Sequence, residues 1–302
     1  MIGYEVSERL SIKPIEFFVE VTKREKLACA RCEEMGVSVA PVPAAIIEKG
    51  ILSDSMVIDV ITKKYLQHRP LYRQSVTIER EAGVAVSQAT LSSSVLAAGA
   101  LLMPLCGAMR SELLASGYIQ VDETTVPVQS KRTKGKDHQA YFWVYSRPEG
   151  PVVYNFRMGR EREGPKIFLA GYDGRLQCDG YSAYDKIGAN IVYFGCMAHA
   201  RRKFFDASKL APGDVRSVAI IEKIGKLYEV EGWAREANLS YQERESLRLE
   251  KSVPILAELK AMVLEARDAT LPKNALGKAC TYALGQWERL ERYASPGMAR
   301  WR

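Results

Sequence analysis

The stretch YIQVDETTVPVQ, Tyr118 to Gln129, decides the fold. Tyr118, Ile119, Val121, Thr124, Thr125, Val126 and Val128 are β-branched or aromatic within a run of strand length, so the segment reads as a central strand. Asp122 stands in its middle. A carboxylate is out of place there, because desolvating the charge costs several kcal/mol unless a partner or a metal compensates.

A second run, RLQCDGYSAY at 175–184, repeats the arrangement, with Asp179 behind a short strand-like segment and ahead of Gly180. Two carboxylates at the ends of two strands are what a divalent-metal site requires. Mg²⁺ takes hard oxygen ligands and is usually held by one or two carboxylates, with water and substrate phosphate in its other positions. Two such ions, Mg²⁺ or Mn²⁺, about 3.5–4 Å apart can activate a water or a DNA hydroxyl and stabilise the leaving oxygen. The plainer alternative is that Asp122 caps a turn and Asp179 opens a β-turn with Gly180.

Outward from these runs the pattern is mixed α/β. QAYFWVY at 139–145 and VVYNFRM at 152–158 are rich in aromatic and β-branched residues, and Pro148 to Pro151 makes the turn between them. Residues 164–170 read as a crossover helix, 175–179 as the next strand and 191–194 as another. Lys131, Arg132, Lys134 and Lys136 mark a basic loop after the first strand, which is either solvated or close to DNA backbone. From 211 to 293 the pattern is helical, with apolar faces at Val218, Ile221, Ile224, Leu227 and Tyr228, at Leu256, Leu259 and Val263, and at Tyr282, Trp287 and Leu290. Glu243, Arg244, Glu245 and Arg248 read as ordinary helix-surface pairs.

Before the central strand, Ser53 is an N-cap candidate with Met56, Val57, Val60, Ile61 and Tyr65 at helical spacing behind it. A second helix fits 71–81, Gly83 the turn, and Ser87 the cap of a third helix through Leu91, Val95 and Leu96. Helix, short turn and helix is the pattern of a helix-turn-helix, whose second helix enters the major groove. Gln88 and Thr90 would then face bases, and Lys63, Lys64, Arg69 and Arg73 would contact phosphate. A plain three-helix packing module has the same pattern. In the first 26 residues Val6, Leu10, Ile12, Ile15, Phe17 and Val19 suggest one or two short strands. They lead into Cys29 and Cys32, a C-x2-C pair that is half of a tetrahedral Zn²⁺ site. Residues 39–49, with Pro41 and Pro43, read as an extended linker.

Composition agrees with a nucleic-acid protein: 302 residues carry a net charge of +7, which favours an anionic partner. Six unevenly spaced Cys do not look like a disulfide framework and favour a reducing cytoplasm. The first twenty residues are too charged for a signal peptide. The longest apolar run, from Val95 to Met109, is interrupted by Pro104 and falls short of the roughly twenty residues that a membrane span needs. No membrane partner is expected.

VDET at 121–124, DGYSAYD at 179–185 and CMAHARRKF at 196–204, together with RPLYRQ at 69–74 and YALGQWERL at 282–290, resemble the insertion-sequence-66 transposase family in order and spacing. That resemblance implies a ribonuclease-H-like mixed-sheet core, metal-dependent DNA strand cleavage and joining, and two Asp and one Glu as the catalytic acids. Matched motif to motif, Asp122 and Asp179 are the first two. The family's Glu lies beyond YALGQWERL, in an Asn-Asn-x-x-Glu setting. The chain ends before such a segment, and ASPGMARWR after Tyr293 reads as a shifted frame or an early stop, leaving Glu288 and Glu291 as the last acids. A first C-x2-C pair is likewise expected upstream of Cys29, so free thiols are the safer expectation there. Cys196 and His199 form a C-x2-H pair, with His199 either a structural hydrogen-bonder or a partner of the Asp pair. Arg201 and Arg202 suit DNA backbone, since guanidinium groups pair with phosphate bidentately.

The expected organisation is a partial zinc-ribbon segment and linker at 1–50, a helix-turn-helix-like module at 51–116, the catalytic core at 117–210 and a helical insertion at 211–302. The expected partners are transposon ends and target DNA, with further copies of the chain and accessory proteins of the element as companions. Two other readings stand beside the transposase. One is a DNA-binding remnant or regulator without catalysis, and the other a hydrolytic nuclease of the same fold.

Overall fold

Short polar residues and one glycine set the first helices where their chemistry places them. Ser53 Oγ accepts from the Met56 amide and opens α1, Asp54–Tyr65. Gly83, at φ 68°, closes α2, Leu71–Ala82, in the left-handed conformation that costs glycine nothing. Ser87 Oγ accepts from Thr90 N at 3.0 Å at the start of α3, Gln88–Leu114. The computed structural model describes residues 8–11, 16–28, 36–129 and 135–295. It divides into two units, Met1–Leu105 and Cys106–Arg302.

In the first unit, Val60, Leu71, Ile78, Val86 and Leu91 form a small core against which Phe17, Leu52 and Met56 pack. Of the strand expectation for the first 26 residues, Val6, Ile12 and Ile15 lie outside the described residues. Residues 8–11 and 16–25 carry no strand, and a two-stranded antiparallel ribbon instead joins β1, Lys26–Ala28, to β2, Val37–Val39. Cys29 and Cys32 lie outside the described residues, as do Lys131, Arg132 and Lys134.

Pro104 does not interrupt α3, which runs unbroken for 27 residues. The ring removes one N–H from the ladder, yet the helix continues through it. By length and composition α3 is therefore apolar enough to cross a membrane, contrary to the expectation drawn from the 95–109 run; one such helix does not by itself indicate a span.

The second unit is built on a five-stranded sheet ordered β5-β4-β3-β6-β7. Its strands are β3, Tyr118–Gln129; β4, Asp137–Ser146; β5, Val152–Arg157; β6, Arg175–Cys178; and β7, Val192–Gly195. The β3, β4 and β5 strands form an antiparallel meander, and β6 and β7 add in parallel on the other side of β3. The short helix α4, Glu163–Phe168, connects β5 to β6. Arg110 near the end of α3 closes the C-terminus of α4, its Nε donating to the Phe168 carbonyl at 3.0 Å.

Alternation along β3 divides the core in two. Ile119 and Val121 join Trp143, Tyr145, Leu176, Cys178 and Tyr184 on one face. Tyr118 joins Phe194 and the helices α5, Met197–Leu210; α6, Val215–Glu236; α8, Val253–Asp268; α9, Ala275–Gly285; and α10, Trp287–Glu291, on the other. Between α6 and α8 lies α7, Tyr241–Leu247, opened by a capping box of Ser240 and Glu243.

Arg244 and Arg248 are not surface residues. They are 2 % and 1 % exposed and close on Glu231 of α6, with Arg248 Nε 2.6 Å and Arg244 Nη1 3.8 Å from its carboxylate. A buried charge needs such a partner, and it comes from a separate helix that local spacing cannot reveal.

Candidate active site

Parallel pairing of β3 and β6 matches Tyr118 with Arg175 and Gln120 with Gln177. Continued two residues further, that register sets Asp122 opposite Asp179, the residue immediately after β6. Both follow the face of Gln120 and Gln177, whose side chains bond each other at 2.7 Å. Asp122 is exposed, and its Oδ1 accepts from the Glu123 amide at 2.9 Å. Asp179 is half-buried, and its Oδ1 accepts from the Tyr181 amide at 2.8 Å, an Asx-turn that fixes the start of the 179–185 loop. Among the described residues neither carboxylate is paired with Lys or Arg.

The third member of the cluster comes from the β7–α5 junction. Cys196 is the N-cap of α5, so His199 sits in the first turn, beside the carboxyl ends of the parallel strands. His199 Nε2 lies 3.7 Å from Asp122 Oδ2. The neighbouring Cys196 side chain, and then the carboxylates of Asp122 and Asp179, raise the imidazole above its ordinary value, against the opposing effect of burial. His199 thus lies against the Asp122 carboxylate, while its Nδ1 is buried without a hydrogen-bond partner among the described residues. Arg201 and Arg202 follow on α5, both exposed.

The α9 helix covers the Asp179 turn. Tyr282 Oη accepts from the Gly180 amide at 3.2 Å, and a Cβ at position 180 would come within 3.0 Å of Tyr282 and Gln286 side-chain atoms. Burial pushes the Tyr282 hydroxyl up to about 12. Beside it a groove of about 300 Å³ runs between α5 and α9, bordered by Lys203, Asp206 and Lys278.

Glu123 is a site residue that the sequence does not mark. Its side chain is 4 % exposed on the face opposite Asp122. Arg160 Nε donates to its Oε1 at 2.9 Å, and the Tyr184 hydroxyl donates to its Oε2. Arg160 in turn lies over the Tyr181 ring, 3.7 Å from its centroid.

In the first unit Lys63 differs from its expected role. It is buried and bonded to Asp59 at 2.6 Å, which neutralises it. Arg69 donates to Thr77 Oγ1 at 2.6 Å. Arg73 and Gln88 are exposed, while Lys64 and Thr90 are half-exposed. Arg69, Arg73 and Arg80 border a concave surface of about 370 Å³ with Tyr72 and Val76.

Among the described residues no group of three or more His, Cys, Asp or Glu is arranged to hold a metal ion. The two carboxylates do suit a hard divalent cation, being register-matched oxygen donors without a Lys or Arg partner. Glu288 is exposed and paired with Arg292.

Residues 49–300 match the family model described as Transposase IS66 family, and residues 1–33 match that of the zinc-finger binding domain of transposase IS66. The chain is 33% identical to Uncharacterized protein y4qI of Sinorhizobium fredii over 314 residues, covering 98% of this chain and 57% of that protein. It is 31% identical to Uncharacterized protein y4jD of the same organism, covering 98% of this chain and 60% of that one.

Proposed function

The chain belongs to the IS66 transposase family, and from that premise we propose that it is the transposase of an insertion sequence, cleaving and joining DNA strands with divalent cations held by Asp122 and Asp179. The register that sets Asp122 opposite Asp179 beside His199 carries this reading. The sheet order, a three-stranded meander with two parallel strands added beyond its first strand, supports a ribonuclease-H-like core. The chain spans 57% and 60% of the length of those two relatives, so the whole protein's activity is part of the proposal.

A divalent ion bound there would activate a water or a DNA hydroxyl and stabilise the leaving oxygen. The protein's own groups have separate parts. His199 orients the Asp122 carboxylate, and the Asx-turn with Tyr181 aims Asp179. Arg201 and Arg202 offer guanidinium groups to the DNA backbone. In the helical module Arg73 and Lys64 suit phosphate, and Gln88 and Thr90 suit base edges. Zn²⁺ at Cys29 and Cys32 belongs to the same reading, supported by the zinc-finger match.

The test is nicking of supercoiled DNA carrying candidate element ends, with Mg²⁺ or Mn²⁺. Nicking by the protein that disappears in Asp122→Asn and Asp179→Asn, with DNA retention intact, is the expected result. Equal nicking by the variants would overturn the two-Asp assignment. Retention without metal-dependent nicking in any form would favour a DNA-binding protein without catalysis.

A further inference from the structure

Two carboxylates from separate elements serve as joint ligands only if those elements are held in fixed relation. Asp122 rides on β3 and Asp179 on the loop after β6, where strand pairing has ended at Cys178. Beyond that point the loop depends on side chains for its position.

We propose that Glu123 is a positioning residue for the metal site, a buried clamp that ties the Asp179 loop to β3 through Arg160, Tyr181 and Tyr184. Each link is in place. One Glu123 oxygen accepts from Arg160, the other from Tyr184 of the loop. The Arg160 guanidinium stacks on Tyr181, and the Tyr181 hydroxyl donates back to the Arg160 carbonyl at 2.7 Å. Tyr181 also carries the amide that holds Asp179 Oδ1. Tyr184 packs edge-on against Trp143, the β4 partner of Glu123 in the sheet register.

The clamp reaches both proposed ligands by the shortest covalent route. Glu123 follows Asp122 directly, and because strand side chains alternate, fixing Glu123 below the sheet fixes the direction of Asp122 above it. On the other strand, Tyr181 is two residues from Asp179. Arg suits this post because a planar guanidinium can chelate a carboxylate and stack on a ring together, which an ammonium cannot. Outer partners of metal-binding carboxylates commonly act in this way.

The inference rests on the two-Asp reading, so its test has an arm that does not. Mn²⁺ binding is titrated by electron paramagnetic resonance, and amide hydrogen exchange is followed without metal, in the full chain and in Glu123→Gln, Tyr184→Phe, their double variant and Asp122→Ala. Tyr184→Phe removes a single hydroxyl and serves if Glu123→Gln does not fold. The expected result is Mn²⁺ affinity lowered by roughly 10- to 100-fold in each clamp variant, with the double variant no worse than Glu123→Gln alone, since a broken clamp cannot break twice. Exchange should rise in residues 179–185 while the β3–β4 ladder stays protected, a local loosening that a general loss of stability would not give. Unchanged Mn²⁺ affinity in the folded clamp variants, with binding abolished in Asp122→Ala, would overturn the clamp and keep the metal site. If Asp122→Ala binds Mn²⁺ like the parent, the metal reading fails, and unchanged exchange at 179–185 would then overturn the clamp separately.

Discussion

Asp122 and Glu123 are neighbours in the chain and leave β3 on opposite faces, the first exposed beside His199 and the second buried against Arg160 and Tyr184. Their removal should therefore register in different experiments. Asp122→Asn is expected to change stability by no more than about 0.5 kcal/mol, as for other exposed substitutions. Glu123→Gln should cost roughly 1–3 kcal/mol, because it removes the charge that faces Arg160 and turns one of the two acceptor oxygens into an NH2 that meets a donor. Urea denaturation without metal separates the two, and equal losses would contradict the assignment of faces.

The Glu231 cluster in the helices makes a stronger demand. Glu231 is 2 % exposed and stands between Arg244 and Arg248, which are equally buried. Glu231→Gln should destabilise the chain by about 3–5 kcal/mol, the usual cost of leaving a buried charge uncompensated. Thermal unfolding measures it, and a loss below about 1 kcal/mol would mean that the guanidinium groups reach water.

Asp214 supplies a pH dependence whose sign is fixed. It caps α6, accepting from the Arg216 amide at 3.1 Å and from the Arg216 side chain at 2.7 Å. The hydrogen bonds from the Arg216 side chain hold its carboxyl below the usual range. A carboxyl depressed in the folded state adds stability above its unfolded value and loses it as pH falls through the folded one. Asp214→Ala should cost about 1 kcal/mol at neutral pH, and the difference from the parent should begin to shrink as pH drops below about 4 and be gone only below the lowered folded value.

Lys63 and Arg73 are both basic residues of the first unit, but only Arg73 is exposed. Arg73→Ala should weaken DNA binding regardless of sequence and reduce the slope of log K against log salt by about one. Lys63→Ala should leave that slope unchanged and lower stability instead, since its ammonium serves Asp59 at 2.6 Å. Fluorescence anisotropy across a salt series distinguishes them.

Much of this was legible from residues alone because the signals are local. The 118–129 strand follows from its β-branched run and ends where that reading places it. Ser53, Gly83 and Ser87 mark helix limits through bonds within three or four residues. The place of Asp122 within one strand and of Asp179 directly behind another was also readable from their two runs. The Glu123 clamp was not, since Arg160 lies 37 residues away in a connecting segment without periodicity, and Tyr184 lies 61 away. Arg244 and Arg248 misled for the same reason. Their spacing on the helix suggests solvent-facing pairs, and only the approach of α6 turns that face inward. Pro104 misled differently, because a proline that usually ends a helix is carried here within a long apolar one.

The bond from the Gly180 amide to Tyr282 Oη joins residues 102 positions apart. During synthesis at about 5–20 residues per second, the turn bearing Asp179 leaves the ribosome on the order of 5–20 s before the helix that covers it. For that interval β3, β6 and β7 can assemble while the turn has no cover. A nascent chain can therefore hold β3, β6 and β7 with their acidic corner still open, and termination of translation before α9 would leave that corner without the Tyr282 bond.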